Sequence, residues 1–307
     1  MKGISIDPKR NNPPTRNRPP LTSNPAQLPP AKAAKLHPSK LGEENASLFF
    51  PNFLYAGDRV HLGPGVSSVE QVIDIARDHF DKKVEASLRR DLPIITTPHA
   101  KKRLTSKKQD TFISVSALDP FEQIEVNIEG TEGPDQPRLR VTRMPGKHVP
   151  PNRVIEKLNT LANAFPPTNG WMLELGHGTH NADFSCGYRI YISGDSLMVD
   201  ELREIPKRYA GQRIDLMLAH LGGTTIPSPL VGRLMEPLAL TATIDAEQGL
   251  QLIQLIQPDM TIPIHYDDYE AFASPLEDFR RIMEAAGLLY KVVFLDRRDQ
   301  YCFRVMT

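Results

Sequence analysis

Three residues of metal-binding type directly follow apolar runs, where the end of a strand would deliver them to one cleft. His148 closes Met144-Pro-Gly-Lys-His148 after the run 138–144, Asp195 follows the run 188–193 in Ser193-Gly-Asp195-Ser196, and His265 ends Met260-Thr-Ile-Pro-Ile-His265. A fourth group, the adjacent pair Asp78-His79, stands at a further element boundary. Imidazole and carboxylate together suit zinc or another borderline divalent ion. Singly, such a residue is more often a cap or turn residue; four groups at four boundaries shift the odds toward a metal without settling them. The cluster His177-Gly-Thr-His180-Asn-Ala-Asp183 imitates a metal motif. Gly178 and its turn-like neighbours argue against the helix that would align the two histidines, so a surface loop is expected there. Neither a Gly-x-Ser-x-Gly elbow nor a phosphate loop is present, which removes support for serine-hydrolase and nucleotide-binding chemistry.

The elements that would carry these groups follow from periodicity. Strand-like runs, rich in β-branched and aromatic residues and mostly bounded by Gly, Pro or Asp, fall at 94–97, 111–116, 123–128, 138–144, 171–175, 188–193, 214–221, 292–295 and 301–305. Helix-like runs fall at 81–90, 153–165, 199–209, 245–256 and 275–286. Asp245 is a natural N-cap for the fourth, whose Leu250, Ile253, Leu255 and Ile256 form an apolar face. Ser274 should cap the fifth, with Pro275 at its first position, and His99 should cap a helix starting near Ala100. Strands come first and strand–helix alternation follows, which predicts an α/β sandwich with mixed sheets inside and helices outside.

Composition narrows the function classes. Lys plus Arg equals Asp plus Glu at 37 each, so there is no basic surplus to suit nucleic acid. No stretch approaches the apolar length of a transmembrane segment, and Met1-Lys2-Gly3-Ile4-Ser5 lacks the apolar core of a secretory signal. Cys186 and Cys302 could pair, but nothing in their spacing suggests a disulfide framework. A soluble, cytoplasmic protein is expected. Many of the 28 prolines crowd between Pro8 and Pro38 among Asn, Lys and Arg, where too little apolar surface exists to offset ordering. That predicts a disordered tail over 1–45 and one ordered domain over 46–307.

Within that domain, Tyr191-Ile-Ser-Gly-Asp195-Ser, Asp215-Leu-Met-Leu-Ala-His220-Leu-Gly-Gly and Ile262-Pro-Ile-His265-Tyr-Asp resemble the C-terminal half of the metallo-β-lactamase-fold hydrolases. The nearest likeness is to the branch of ascorbate-phosphate lactonases and N-acyl-phosphatidylethanolamine phospholipase D. Shorter upstream pieces, among them His61-Leu-Gly-Pro-Gly65 and Pro93-Ile-Ile-Thr-Thr-Pro-His99, match the same branch. The resemblance implies an αββα sandwich binding one or two zinc ions or another divalent metal. It makes Asp78 and His79 the end of a His-x-His-x-Asp-His motif, His148 the next ligand, Asp195 the bridging carboxylate and His265 the last histidine. Asp78, His79 and Asp195 would also serve catalysis. His220 would orient a ligand or a water, or is a satisfied core histidine; His61 and Tyr266 would touch substrate. The implied reaction is attack of a metal-bound hydroxide on a small-molecule or lipid-like lactone, lactam, amide or phosphodiester.

The chain departs from that pattern in two places. The resemblance puts histidines at 74 and 76, where Asp74 and Ala76 stand. One metal site would thus keep Asp78, His79, Asp195 and His265, and the other only His148 and a share of Asp195. Val69, Val72, Ile73, Ala76 and Phe80 fall at helical spacing, whereas the family has a buried strand there. At Phe50-Pro51 a strand–turn–strand unit is absent, so N-terminal strands of the sandwich are expected to be missing. A mis-joined coding segment and true divergence both explain the gaps. The rival to an enzyme is a catalytically impaired binding or scaffold protein of the same fold.

Overall fold

The computed structural model describes residues 47–48, 60–61, 82–106, 110–127, 137–147, 168–178, 184–223, 225–227, 239–241, 243–266, 273–296 and 299–305. The predicted tail over 1–45, the helical spacing before Phe80 and the helix expected at 153–165 lie outside them, as do most of the residues on which missing strands were expected.

The frame is a six-stranded mixed sheet built from β5 (Gln123–Asn127), β6 (Pro137–Met144), β7 (Gly170–His177), β8 (Ser185–Ile192), β9 (Leu216–His220) and β12 (Met260–Ile264), in the order β12-β9-β8-β7-β6-β5. The strands from β5 to β8 pair antiparallel; β8, β9 and β12 run parallel. The parallel crossovers carry helices, as they must. The 3₁₀ turn Asp200–Arg203 with α3 (Glu204–Arg208) joins β8 to β9, and α4 (Ala246–Ile256) precedes β12. Helix α5 (Leu276–Ala285) follows. Pro263 is tolerated within β12 because that strand lies at the end of the sheet order and the alternate residue Met260 is one that donates to β9's flank, at Asp215 O.

Side-chain alternation gives the sheet two faces. Leu139, Val141, Leu173, Ile190, Leu216 and Leu218 pack on one side against Ile95 of β3 (Ile94–Thr96) and Leu118, beyond β4 (Val115–Ala117). Strands β3 and β4 pair parallel, and Ile94 turns away to meet Ala100 and Leu104 of α2 (Pro98–Thr105). On the other side Met172, Tyr191 and Met217 pack against Ile205 of α3, Leu252, Ile253 and Ile256 of α4, and Phe279 and Met283 of α5. From α2 through the two sheets to α3–α5, the layers read αββα. Toward the N-terminus, β1 (Ser47–Leu48) and β2 (Val60–His61) pair antiparallel, and α1 (Lys82–Ser87) precedes β3. Strands β10 (Thr225–Pro227) and β11 (Ala239–Thr241) pair as a separate two-stranded unit.

Several local expectations need correction. The runs 292–295 and 301–305 form no named strand; Val292 makes a single parallel bridge to Thr261. The alternation in 301–305 records packing: Tyr301, Phe303 and Val305 lie on the inter-sheet core, with Phe303 stacked on Tyr188 at 4.2 Å. His99 does not cap α2; Thr97 does, its Oγ1 accepting from Ala100 N at 3.2 Å, and His99 sits inside the helix. Pro275, not Ser274, is the N-cap residue of α5, and Ser274 Oγ accepts from Ala246 N at 3.0 Å at the start of α4. Asp245 caps α4 as expected, its carboxylate accepting from Gln248 N at 2.8 Å.

Candidate metal centre

The C-terminal ends of β6, β8, β9 and β12 and the N-terminal end of β7 share one edge of the sheet. Asp195 and His265 both lie there. They are 70 residues apart in sequence, yet His265 Nε2 stands 3.7 Å from Asp195 Oδ2. Two ligands on a tetrahedral ion with bonds of about 2.0–2.2 Å stand roughly 3.3–3.6 Å apart, so this spacing suits a shared ion. His265 Nδ1 lies 3.1 Å from the Leu221 carbonyl oxygen. A carbonyl only accepts, so Nδ1 carries a proton, and Nε2, which faces Asp195, is the nitrogen left to bind an ion. That is the tautomer a metal-ligating histidine needs, and the carbonyl is the partner that fixes its ring.

The loop after β8 exists to hold Asp195. Gly194 adopts φ +63, and a Cβ there would fall 2.1 Å from Asn169 O, so only glycine fits. Ser193 Oγ accepts from His220 N at 2.9 Å, which ties the end of β8 to the end of β9. Asp195 itself is 2% exposed. His265 has φ +60, a left-handed conformation that a non-glycine residue holds at a cost of roughly 1–3 kcal/mol when its surroundings enforce it. Leu221 N donates to Ile264 O at 2.9 Å, so the strand ends that impose this turn are themselves bonded.

His220 is fully buried, its ring 5.8 Å from that of His265 and tilted by 41°. Tyr266 follows His265 and is half-buried. Asp78, His79 and His148 lie outside the described residues, although Lys147, the residue before His148, is fastened to the Asp195 loop. Its N–H donates to Ser196 Oγ at 3.0 Å, and its carbonyl accepts from Leu197 N at 2.8 Å. Gly146 packs against Asn169, where a Cβ would come within 2.9 Å of the backbone. His61 lies on β2 opposite Ser47; its side chain is outside the described set. His177 ends β7 at the opposite sheet edge, facing Ser185 and Pro137, which separates it from the centre; His180 and Asp183 lie outside the described residues. Sequence reasoning missed Ser193, Gly194 and Asn169, though Ser-Gly directly after a strand and Asn-Gly directly before one were available signals.

An imidazole and a buried carboxylate form a donor pair suited to a borderline divalent ion. Among the described residues no group of three His, Cys, Asp or Glu side chains is placed to hold a metal.

No family model matches the chain. A UPF0173 metal-dependent hydrolase of Methanopyrus kandleri is 28% identical over 85 residues, 26% of this chain and 37% of that protein. A UPF0173 metal-dependent hydrolase of Archaeoglobus fulgidus is 24% identical over 226 residues, 74% of this chain and 78% of that protein. The chain thus spans little more than a third of the first relative and over three quarters of the second. Among solved structures, isothiocyanate hydrolase from Delia radicum gut bacteria superposes with a TM-score of 0.54 at 14% identity, covering 75% of this chain and 76% of that one. A possible metal-dependent hydrolase from Veillonella parvula gives 0.52 at 16% identity, with 73% of each chain covered.

Proposed function

We propose that the chain, whose αββα layers resemble those of two hydrolase structures, has the metallo-β-lactamase fold and is a metal-dependent hydrolase with Asp195 and His265 as metal ligands. The observation that carries this reading is the Asp195–His265 pair at 3.7 Å, with the histidine tautomer set by Leu221 O. Asp78, His79 and His148 would complete the ligand set from segments outside the described residues. Zinc suits these donors. A bound ion would supply Lewis acidity and a water of lowered pKa, so that no side chain need act as nucleophile.

The chain's own residues do the positioning. Gly194 and Asn169 fix the loop that aims the Asp195 carboxylate. Leu221 O orients His265, and the Ser193–His220 contact holds β8 and β9 in register beneath both. Low exposure of Asp195 keeps its charge in a poorly solvated setting, where its attraction for a cation is strengthened. The substrate class we propose is a small-molecule or lipid-like lactone, lactam, amide or phosphodiester, and the location cytoplasmic; among the described residues no helix is long and apolar enough to cross a membrane.

A second reading is favoured by one observation: Ala76 offers no donor where the resemblance places a histidine. It makes the chain a catalytically impaired relative that keeps the fold. Hydrolysis of a lactone, a lactam and a bis-ester phosphate by the purified full chain, with and without a chelator, separates the two. The enzyme reading expects turnover of at least one probe, abolished by chelation and by His265→Ala. A folded chain inert toward all three in the presence of added zinc supports the impaired relative.

A further inference from the structure

A second polar cleft, of about 200 Å³, opens on the helix-facing side of the sheet between α3 and strands β5–β7. That is room for several waters, or for a small ion with part of its hydration. Its floor is made by the buried Thr142 and Glu174 and the half-buried Arg140; Arg208, Gln123 and Gln212 stand at its rim.

The cleft lining carries Arg140 and Arg208 against Glu174 alone, a balance that favours an anion. Glu125 is bound by Arg138 and Arg140, and Glu174 by Arg189 at 2.8 Å. Among the described residues Glu174 is engaged at both oxygens, Oε1 by Arg189 and Oε2 by Arg140 at 3.9 Å. Gln212 Oε1 accepts from Arg189 Nη2 at 2.8 Å, which leaves its NH₂ to donate. On the turn and helix that border the cleft, Lys207 is held by Glu204 at 2.6 Å and Arg203 by Asp200 at 3.2 Å. Arg208 has no carboxylate partner among the described residues; its guanidinium lies 4.1 Å over the ring of Phe121.

Phe121 is strained. It holds φ +66, an outlier for a bulky side chain, and is kept there by its N–H donating to Arg143 O at 2.7 Å. Backbone strain of this kind persists where surrounding structure enforces it and often marks a ligand site. Here it places an aromatic platform under Arg208, which has no carboxylate partner among the described residues. Arg140 and Arg189 are likewise set against the rings of Phe184 and Tyr209, at 4.1 and 5.5 Å. Aromatic stacking leaves the donor fork of a guanidinium in plane and available, the geometry that carboxylate and phosphate oxygens take.

We infer that this cleft binds a small oxyanion, a carboxylate or phosphate group, with Arg208 as its principal ligand and Gln212 and Gln123 as further donors. The site is separate from the Asp195–His265 pair and does not depend on the metal. Titration of the purified full chain at fixed ionic strength, followed by isothermal calorimetry, tests it with inorganic phosphate in one arm and acetate in the other. Saturable binding of one or both is expected, weakened at least tenfold by Arg208→Gln, weakened by Gln212→Ala and unchanged by His265→Ala. Arg208 and Gln212 are exposed, so both variants should fold, which far-ultraviolet circular dichroism checks. Absence of saturable binding in both arms overturns the inference. So does binding that Arg208→Gln leaves intact, or binding lost in His265→Ala, which would put the anion at the metal centre.

Discussion

The helix-facing side of the six-stranded sheet is two surfaces with opposite chemistry. Over β8, β9 and the start of β7 it is apolar, with Tyr191, Met172 and Met217 sealed beneath α4 and α5. Over β5, β6 and the rest of β7, the same pleat positions carry Glu125, Arg138, Arg140 and Glu174, continued by Arg189 on β8. Packing density alone holds the first half, and paired charge holds the second. The candidate metal centre sits at the end of the apolar half, where dense packing fixes strand ends to within the fraction of an ångström that ligand geometry requires. The charged half leaves a cleft.

The two halves should respond differently to truncation. Glu174→Ala removes the carboxylate that satisfies the buried Arg189 and should cost about 3–5 kcal/mol, because an uncompensated guanidinium stays behind. Urea unfolding measures it; a loss under about 1 kcal/mol would mean that the ladder behaves as a solvated surface, whose pairs are worth little. Met217→Ala, in the apolar half, should cost about 2–5 kcal/mol through lost burial and a residual cavity. That loss should be insensitive to salt, and the Glu174 effect nearly so, because a buried pair is screened little; a strong salt dependence would again mean a solvated ladder. Asp245→Ala removes only the cap of α4 and should cost about 1 kcal/mol, with thermal unfolding as the readout. A much larger effect would mean that α4 is held by its terminus rather than by Leu252, Ile253 and Ile256.

Legibility in the sequence followed the range of the interaction. Asp195 and His265, which the fold brings within 3.7 Å, could be singled out because each follows an apolar run, and a strand end is a local property. The Asp245 cap was legible for the same reason. Ser274 was assigned to its own helix because a cap is normally local; its hydroxyl instead serves α4, 28 residues away, a partner that no window of sequence contains. The run 301–305 alternates as a strand would, but period-two alternation reports a buried face and cannot say whether a neighbour completes the ladder. The ion-paired surface escaped notice although Arg138 and Arg140 alternate with Leu139 and Val141. Charges at alternate positions normally face solvent, and only the register Arg140↔Glu174↔Arg189 reveals that these face one another.

Metal content of the purified chain tests the central claim most directly, by elemental analysis after dialysis against trace zinc. The Asp195–His265 pair predicts at least one divalent ion per wild-type chain, retained when Arg208 is replaced by glutamine and lost in His265→Ala with the fold intact. A folded wild-type chain without metal, or a His265→Ala variant that binds it equally well, would contradict the account.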